Sequence, residues 1–275
     1  ALFFPIYYGF MLGDAGYGIV GMFLFWLLSN AFKAGSLGYN LSMVYFINSI
    51  FAIIFGLIFG EIFGDFGIKL GIITPMFHRT HEVIDLVLIA VGFGFFQLLL
   101  GMLIGFYNYL VLEHKKHAVF ELGRFFAILG ILILLFSNLR LPGITPDWMY
   151  GIPNGVGYAG IASLILGSLL TVYAEGPLGL IEIFSAFGNV LSYARLAAVG
   201  LASAILAEIA NKFIELIPVP AFAILVALTF HILAFVLGIV DPTIQGMRLQ
   251  FVEFFTKFYV PAMKLFRPLK KGGEI

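Results

Sequence analysis

Seven apolar runs occupy most of the chain, at 2–29, 41–64, 83–112, 120–138, 156–174, 180–217 and 221–259. Each approaches or exceeds the roughly 20 apolar residues that a helix needs to cross a bilayer core. Hydrocarbon offers no hydrogen bonds, so a crossing backbone must satisfy itself as a helix or a closed barrel. No alternation of period two runs through these segments, which argues against a barrel. The breaks carry turn residues: Lys33-Ala34-Gly35-Ser36, Thr74-Pro75, Glu113 to His117, Pro142 to Pro153, Glu175-Gly176-Pro177 and Pro218-Val219-Pro220. The sequence therefore predicts an all-α, polytopic membrane protein. Only 11% of its 275 residues are charged, whereas soluble domains carry about a quarter.

The first run is interrupted by Gly13-Asp14-Ala15-Gly16-Tyr17-Gly18. A carboxylate in hydrocarbon is costly, and glycine tolerates the backbone angles of a reversal. Residues 2–13 and 17–32 are expected to form two arms of a short hairpin, giving about eight helices; the alternative is one span with a glycine-rich packing face. Basic residues set orientation. Lys257, Lys264, Arg267, Lys270 and Lys271 place the C-terminus in the cytoplasm, and counting back puts Lys115-Lys116 and Lys33 there too. The opposing segments 139–155 and 217–221 are poor in Lys and Arg; the 65–82 loop, with Lys69 and Arg79, fits less well.

The runs 180–217 and 221–259 are longer than a perpendicular span requires. At about 1.5 Å per residue, each would approach 60 Å, twice a core of about 30 Å. Strong tilt or extension beyond the membrane follows. The short Pro218-Val219-Pro220 link makes them an antiparallel hairpin. Near the middle of the first lies Arg195, flanked by Ala197, Ala198, Gly200, Ala202, Ser203 and Ala204. Small residues admit a close neighbour, and an arginine cannot shed its charge. Intramembrane ionisable residues mark function more often than structure. Measured from the turn, Asp241 to Gln245 on the second helix lie as deep as Arg195, with Arg248 one turn further and on the face of Gln245. Glu208 and His231 pair in depth towards one end, Glu182 and Glu253 towards the other. Two polar ends separated by a fixed cation suggest two aqueous half-channels rather than one pore. Each residue singly has a blander reading: Glu182 and Glu253 as interfacial, His231 as a satisfied core histidine.

These residues resemble the membrane subunit of rotary vacuolar-type and archaeal-type ATPases, called subunit a or subunit I. Phe4-Pro5 through Gly18 is similar to the family's FP...GD-x-G-H-G motif, and Gly60-Glu61-Ile62-Phe63 to its N-E-F-F segment. Leu191 to Leu196 resembles the S-Y-x-R-L motif around its essential arginine. Gly246 to Phe254, with Lys257-Phe258-Tyr259, resembles the motif of its last helix. The four motifs occur in family order from the first residues to about Tyr259. Tyr17 replaces the common histidine of the hairpin motif. Ser203 stands where vacuolar forms carry a histidine, which with Gln245 and Arg248 points to the archaeal and bacterial branch.

The resemblance implies a stator subunit of a rotary ATP synthase or ATPase, facing a rotor ring of c/K-type proteolipid subunits and joined to a peripheral stalk. It implies that residues 1–174 form peripheral helices, that 175–260 form the tilted hairpin against the ring, and that 261–275 form a cytoplasmic tail of a single membrane domain. The family's N-terminal cytoplasmic stator domain would precede Ala1. Arg195 would be the essential ion-translocation arginine, supplemented by Gln245 and Arg248. Glu182, Glu253, Glu208, His231, Asp241, Asp14 and Glu61 are half-channel candidates, in that order, for H+ or Na+. The membrane would be the cell membrane of an archaeon or bacterium. No P-loop, zinc-binding signature or cysteine occurs, so no cofactor, metal or ATP chemistry is expected in this chain, and its zero net charge gives no reason to expect nucleic acid. The alternatives are a secondary ion transporter, which would show internal repeats, or a structural anchor, which needs no midspan arginine.

Overall fold

The computed structural model describes residues 3–138 and 155–259. Most of the expected outer loop at 139–155, and the tail with Lys264, Arg267, Lys270 and Lys271, lie outside the described residues. Regular structure among the described residues is entirely helical: α1 Phe3–Leu12, α2 Ala15–Ala31, α3 Leu37–Phe59, the single turn α4 Phe66–Lys69, α5 Val83–Val111, α6 Lys115–Asn138, α7 Gly155–Glu175, α8 Leu178–Leu191, α9 Ala194–Leu216 and α10 Pro220–Arg248. Six stretches are long and apolar enough to cross a membrane: α3, α5, α6 (to Ser137), α7, Leu178–Leu216 and Pro220–Lys257. With the shorter apolar pair α1 and α2 they make up the eight expected. The chain is a multi-pass, all-α membrane protein.

The first run is a hairpin. Going along α2, Gly18 packs on Ile53, Gly21 on Ser49 and Phe25 on Tyr45, so α2 runs antiparallel to α3. Along α1 the order is opposite, Tyr8 meeting Tyr45 and Phe10 meeting Phe55 and Phe59. The two arms thus straddle α3 and reverse at Gly13, whose φ of 44° an L side chain adopts poorly. Gly56 permits this close fit: a Cβ there would lie 2.1 Å from the Ala15 nitrogen.

Three ionisable side chains hold the hairpin apex. Asp14 caps α2 by accepting from the Tyr17 N–H at 3.0 Å. It also accepts from the Phe63 N–H at 3.0 Å and the Gly64 N–H at 2.6 Å, tying the apex to the loop after α3. Arg79, fully buried, donates through Nε to Glu61 at 2.8 Å and through Nη2 to the second Glu61 oxygen. Its remaining hydrogens reach the carbonyls of Met11, Leu12 and Gly13 at 3.1–3.4 Å. A cation at a helix C-terminus meets carbonyls that have no intrahelical donor. Arg79 is therefore an internal tie and not a surface charge, which removes most of its conflict with the charge rule for the 65–82 loop.

The two long stretches have the expected lengths, 39 and 38 residues, with internal irregularities that periodicity does not signal. Between α8 and α9 the backbone tightens: the N–H groups of Tyr193, Arg195 and Leu196 each bond three residues back, to Val190, Ser192 and Tyr193. After α10 the helix widens into a π-turn over Leu249–Phe254 and ends in a 3-10 turn over Phe255–Lys257. The wider turn puts Leu249, Glu253 and Phe254 together on the buried side while Phe251 and Val252 stay exposed. Both irregularities border Arg195, and π-turns are frequent at functional sites.

Removing one partner of a buried ion pair leaves an uncompensated charge and costs about 3–5 kcal/mol, whereas replacing both by apolar groups is often neutral. Arg79→Ala is accordingly expected to lower the thermal unfolding midpoint in detergent markedly. The double variant Arg79→Met with Glu61→Leu is expected to recover most of the loss. An unchanged midpoint for Arg79→Ala would show that the apex does not depend on this pair.

Candidate functional site

The tightened turn at Ser192–Tyr193 places Arg195 in the first turn of α9. Its guanidinium Nη1 lies 3.9 Å from Glu253 Oε1 on the π-turn. The two differ in access, the Arg195 side chain being 24% exposed and that of Glu253 3%. At such a distance two unit charges attract by about 4 kcal/mol at an effective dielectric near 20. The pair is nonetheless under-satisfied. Arg195 Nη1, Glu253 Oε2, Gln250 Nε2 and Gln245 Oε1 are all buried without a hydrogen-bond partner. Buried polar groups are almost always paired in folded proteins, so the Arg195–Glu253 pair keeps hydrogen-bonding capacity that the chain itself does not meet.

A neutral polar network backs the arginine. Tyr193 donates to Gln97 Oε1 at 2.8 Å, Tyr7 donates to the same oxygen, and Gln97 Nε2 donates to Gln250 Oε1 at 3.2 Å. Tyr7, Gln97 and Tyr193 are buried in the main core with Phe95, Leu98 and Leu196. The network joins α1, α5, the α8–α9 turn and the π-turn, and so fixes the backbone on both sides of Arg195 and Glu253. Gly94 makes room for Tyr193, whose ring atoms would lie 2.8 Å from a Cβ there.

Towards the hairpin apex a second polar track crosses between α2, α9 and α10. Tyr17 Oη and His231 Nδ1 are 2.7 Å apart, and His231 Nε2 is 3.1 Å from Asn211 Oδ1. Asn211 Nδ2 donates to Asp65 Oδ1 at 2.6 Å and to the Phe63 carbonyl at 2.7 Å. An amide oxygen can only accept, so Nε2 carries the His231 proton and the Tyr17 hydroxyl donates to Nδ1. Asp65 pairs with Lys69 at 2.9 Å, and Lys69 with exposed Glu215 at 2.5 Å. Hydrogen bonds that its ammonium donates to Glu215 and then to Asp65 hold the Lys69 pKa above the usual lysine range. A continuous run of side chains thus leads from the surface to the interior.

No family model matches the chain. It is 32% identical to the A-type ATP synthase subunit I of Archaeoglobus fulgidus, over 98% of this chain and 48% of that protein. It is 27% identical to the A-type ATP synthase subunit I of Methanocaldococcus jannaschii, over 98% of this chain and 44% of that one. The V-type ATP synthase subunit I of Borreliella burgdorferi is 26% identical over 92% of this chain and 45% of its own length. The chain belongs to the subunit I family of A-type and V-type ATP synthases. It spans just under half the length of these relatives.

Within the chain the anticipated residues separate into groups. Arg195 and Glu253 come together, and Gln245 and Gln250 lie half-buried on the same helical stretch. Arg248 and Asp241 are exposed on α10. His231 lies in the apex-side track, and Glu208, half-buried, precedes Asn211 by one turn of α9 beside Gly64. Asp14 and Glu61 belong to the hairpin apex, which reaches α9 at Gly200 and through a 3.1 Å bond from Ser203 to the Met11 carbonyl. Glu182 is exposed and stands 4.0 Å from Arg124 of α6. Sequence reasoning missed Gln97, Tyr193, Tyr17, Asn211 and the buried pair Glu121–Arg124. A signal was present for the last two, an acid and a base three apart inside an apolar run; nothing distinguished the tyrosines or amides from ordinary core residues. Among the described residues no group of His, Asp and Glu is disposed to hold a metal.

A buried group left without its partner costs about 1–3 kcal/mol. Gln97→Leu would strand the Tyr7 and Tyr193 hydroxyls, and is expected to lower the unfolding midpoint in detergent, while Tyr193→Phe alone is expected to cost less. Equal midpoints for Gln97→Leu and the parent would show that the network does not brace the site.

Proposed function

We propose that this chain is the stator portion of a rotary ATP synthase or ATPase through which ions cross the membrane. In this reading the stretch 175–260 lies against a rotor ring of proteolipid subunits, and residues 1–174 support it. Residues 261–275 continue into the cytoplasm, a peripheral stalk anchors the subunit, and the membrane is the cell membrane of an archaeon or bacterium. The observation that carries it is the half-buried, under-satisfied Arg195 facing Glu253. A fixed guanidinium that is only loosely paired within the chain, on a side chain 24% exposed, is suited to meet an anionic group arriving from outside. A carboxylate on each passing rotor subunit would supply that anion. Arg195 would depress its pKa and displace its ion, and would repel any cation leaking between the two half-channels.

The apex-side track through Glu215, Lys69, Asp65, Asn211, His231 and Tyr17 supports one half-channel, with Glu208 beside it. Glu253 and Glu182 belong to the other, on the side of Lys33, Lys115 and Lys116. Exposed Arg248 and half-buried Gln245 would flank the ring contact and supplement the charge. The lengths of the two final helical stretches fit a pair that lies obliquely against a curved ring, since about 58 Å of helix greatly exceeds one bilayer crossing. A secondary transporter would carry its substrate site between repeated, broken helices, and no feature of the described helices favours that.

The test is ATP-driven ion uptake into vesicles holding the assembled complex. Arg195→Ala and Arg195→Gln are expected to abolish coupled uptake while the complex still assembles and hydrolyses ATP. Arg195→Lys is expected to restore little, because an ammonium is a titratable point charge without the guanidinium fork. Coupled uptake at the parent rate in Arg195→Ala would refute the reading.

A further inference from the structure

On the side of the molecule bearing Lys115 and Lys116, a charged cluster connects the surface with the Arg195 site. Glu121 and Arg124, within the first turns of α6, are 4% and 5% exposed. Arg124 Nη1 lies 2.9 Å from Glu121 Oε1 and 4.0 Å from an oxygen of exposed Glu182. The pair is incomplete: Glu121 Oε2 and Arg124 Nε are buried with no hydrogen-bond partner. Gly105 of α5 opens the space between this pair and the 3-10 turn at Lys257. A Cβ at Gly105 would sit 2.6 Å from the Lys257 carbonyl oxygen and 3.7 Å from the Glu121 carboxyl carbon. Lys257 in turn interacts electrostatically with Arg124, Glu121, Glu182 and Glu253. Carboxylates thus occur exposed at Glu182 and buried at Glu121 and Glu253, with Arg124 beside the first two and Arg195 beside the third.

We propose that Glu121, held by Arg124 and facing Lys257, is the intermediate proton-carrying carboxylate between Glu182 and Glu253, and that this half-channel carries protons and not Na+. The inference rests on the stator reading above. The Glu121 oxygen without a partner is the atom that takes up and releases the proton; one O–H bond forms on Glu121 as one breaks on its neighbour or on an intervening water. Arg124, 2.9 Å away, and Lys257 supply the positive field that favours release of the proton again. The same two cations exclude a travelling metal cation. A hard cation needs a shell of several oxygens, whereas Glu121 offers one free oxygen beside the fixed positive charge of Arg124.

A structural ion pair would share the burial but not the transport phenotype. The complex is reconstituted in vesicles, and ATP-driven acidification and 22Na+ uptake are both measured, with Arg195→Ala alongside. Glu121→Gln is expected to reduce acidification at least tenfold, Glu121→Asp to restore a substantial part, and no variant or parent to accumulate 22Na+. The double variant Glu121→Gln with Arg124→Met removes the charge pair together, and is expected to stay as slow as Glu121→Gln. Should Glu121→Gln fail to assemble, the double variant decides. Parent-rate acidification in Glu121→Gln or in the double variant, or accumulation of 22Na+ by the parent, would overturn the proposal. If Arg195→Ala abolishes transport in the same series, the stator reading stands apart from that outcome. If Arg195→Ala pumps normally, the stator reading itself fails.

Discussion

A guanidinium that cannot be neutralised, set in a wall of apolar helices, is the constraint around which this molecule is organised. Desolvating such a charge costs several kcal/mol unless something nearby answers it. Within the chain the answer is partial: one carboxylate of Glu253 at 3.9 Å, and a guanidinium Nη1 with no hydrogen-bond partner. A closer pair with every hydrogen bond made would be a stable internal bridge and would have little left for a ligand. The looser arrangement keeps the positive field of Arg195 available on the side where 24% of its side chain is open.

Keeping an under-satisfied group in place requires rigid surroundings, and the helices supply them through their irregularities. The tightened turn before Arg195 and the π-turn carrying Glu253 each break the regular ladder where the two residues must meet. The Tyr7–Gln97–Tyr193 cluster then pins both breaks to α1 and α5. At one end the hairpin apex is locked by Asp14, Glu61 and Arg79, and presents carbonyls to α9 at Gly200 and Ser203. At the other end α6 and α7 approach closely through Gly123, Gly130 and Gly167; a Cβ at Gly167 would lie 2.3 Å from the Ala127 nitrogen. That packing seats α6, and with it Glu121 and Arg124, beside the inner part of the site.

The architecture was legible because hydrocarbon is an unforgiving solvent: run length and turn residues alone locate the spans, and the carboxylate with its glycines at 13–18 announces the reversal. Arg195 was legible for the same reason, as a charge where charges are penalised. Its meeting with Glu253 was not anticipated: counting from the turn sets Arg195 level with Asp241 to Gln245 and Glu253 level with Glu182. A helix of constant pitch does not foresee the π-turn that carries Glu253 to it. Arg79 was misjudged as a loop cation because its partner Glu61 lies across a turn, and pairing through space leaves no periodic trace. Tyr17 looked like a mere departure from a histidine motif, yet its hydroxyl meets the His231 ring at 2.7 Å, so an imidazole enters that position from another helix. The Gln97 network was invisible, since a buried amide and two tyrosines in an apolar run read as core until their hydroxyls are seen to converge.

The central claim is that the Arg195 face of α9 is the surface against which a rotor turns. Ala198 and Ala202 lie exposed on α9 beside Arg195, and the chain has no cysteine of its own. Cysteines introduced singly at these alanines can be paired by oxidation with single cysteines along the outer helix of the proteolipid subunit, in the assembled complex. The account predicts disulfide-linked stator–rotor products from Ala198 and Ala202, and none from an outward control such as Phe23 of α2. Linkage from Phe23 but not from either alanine would contradict it.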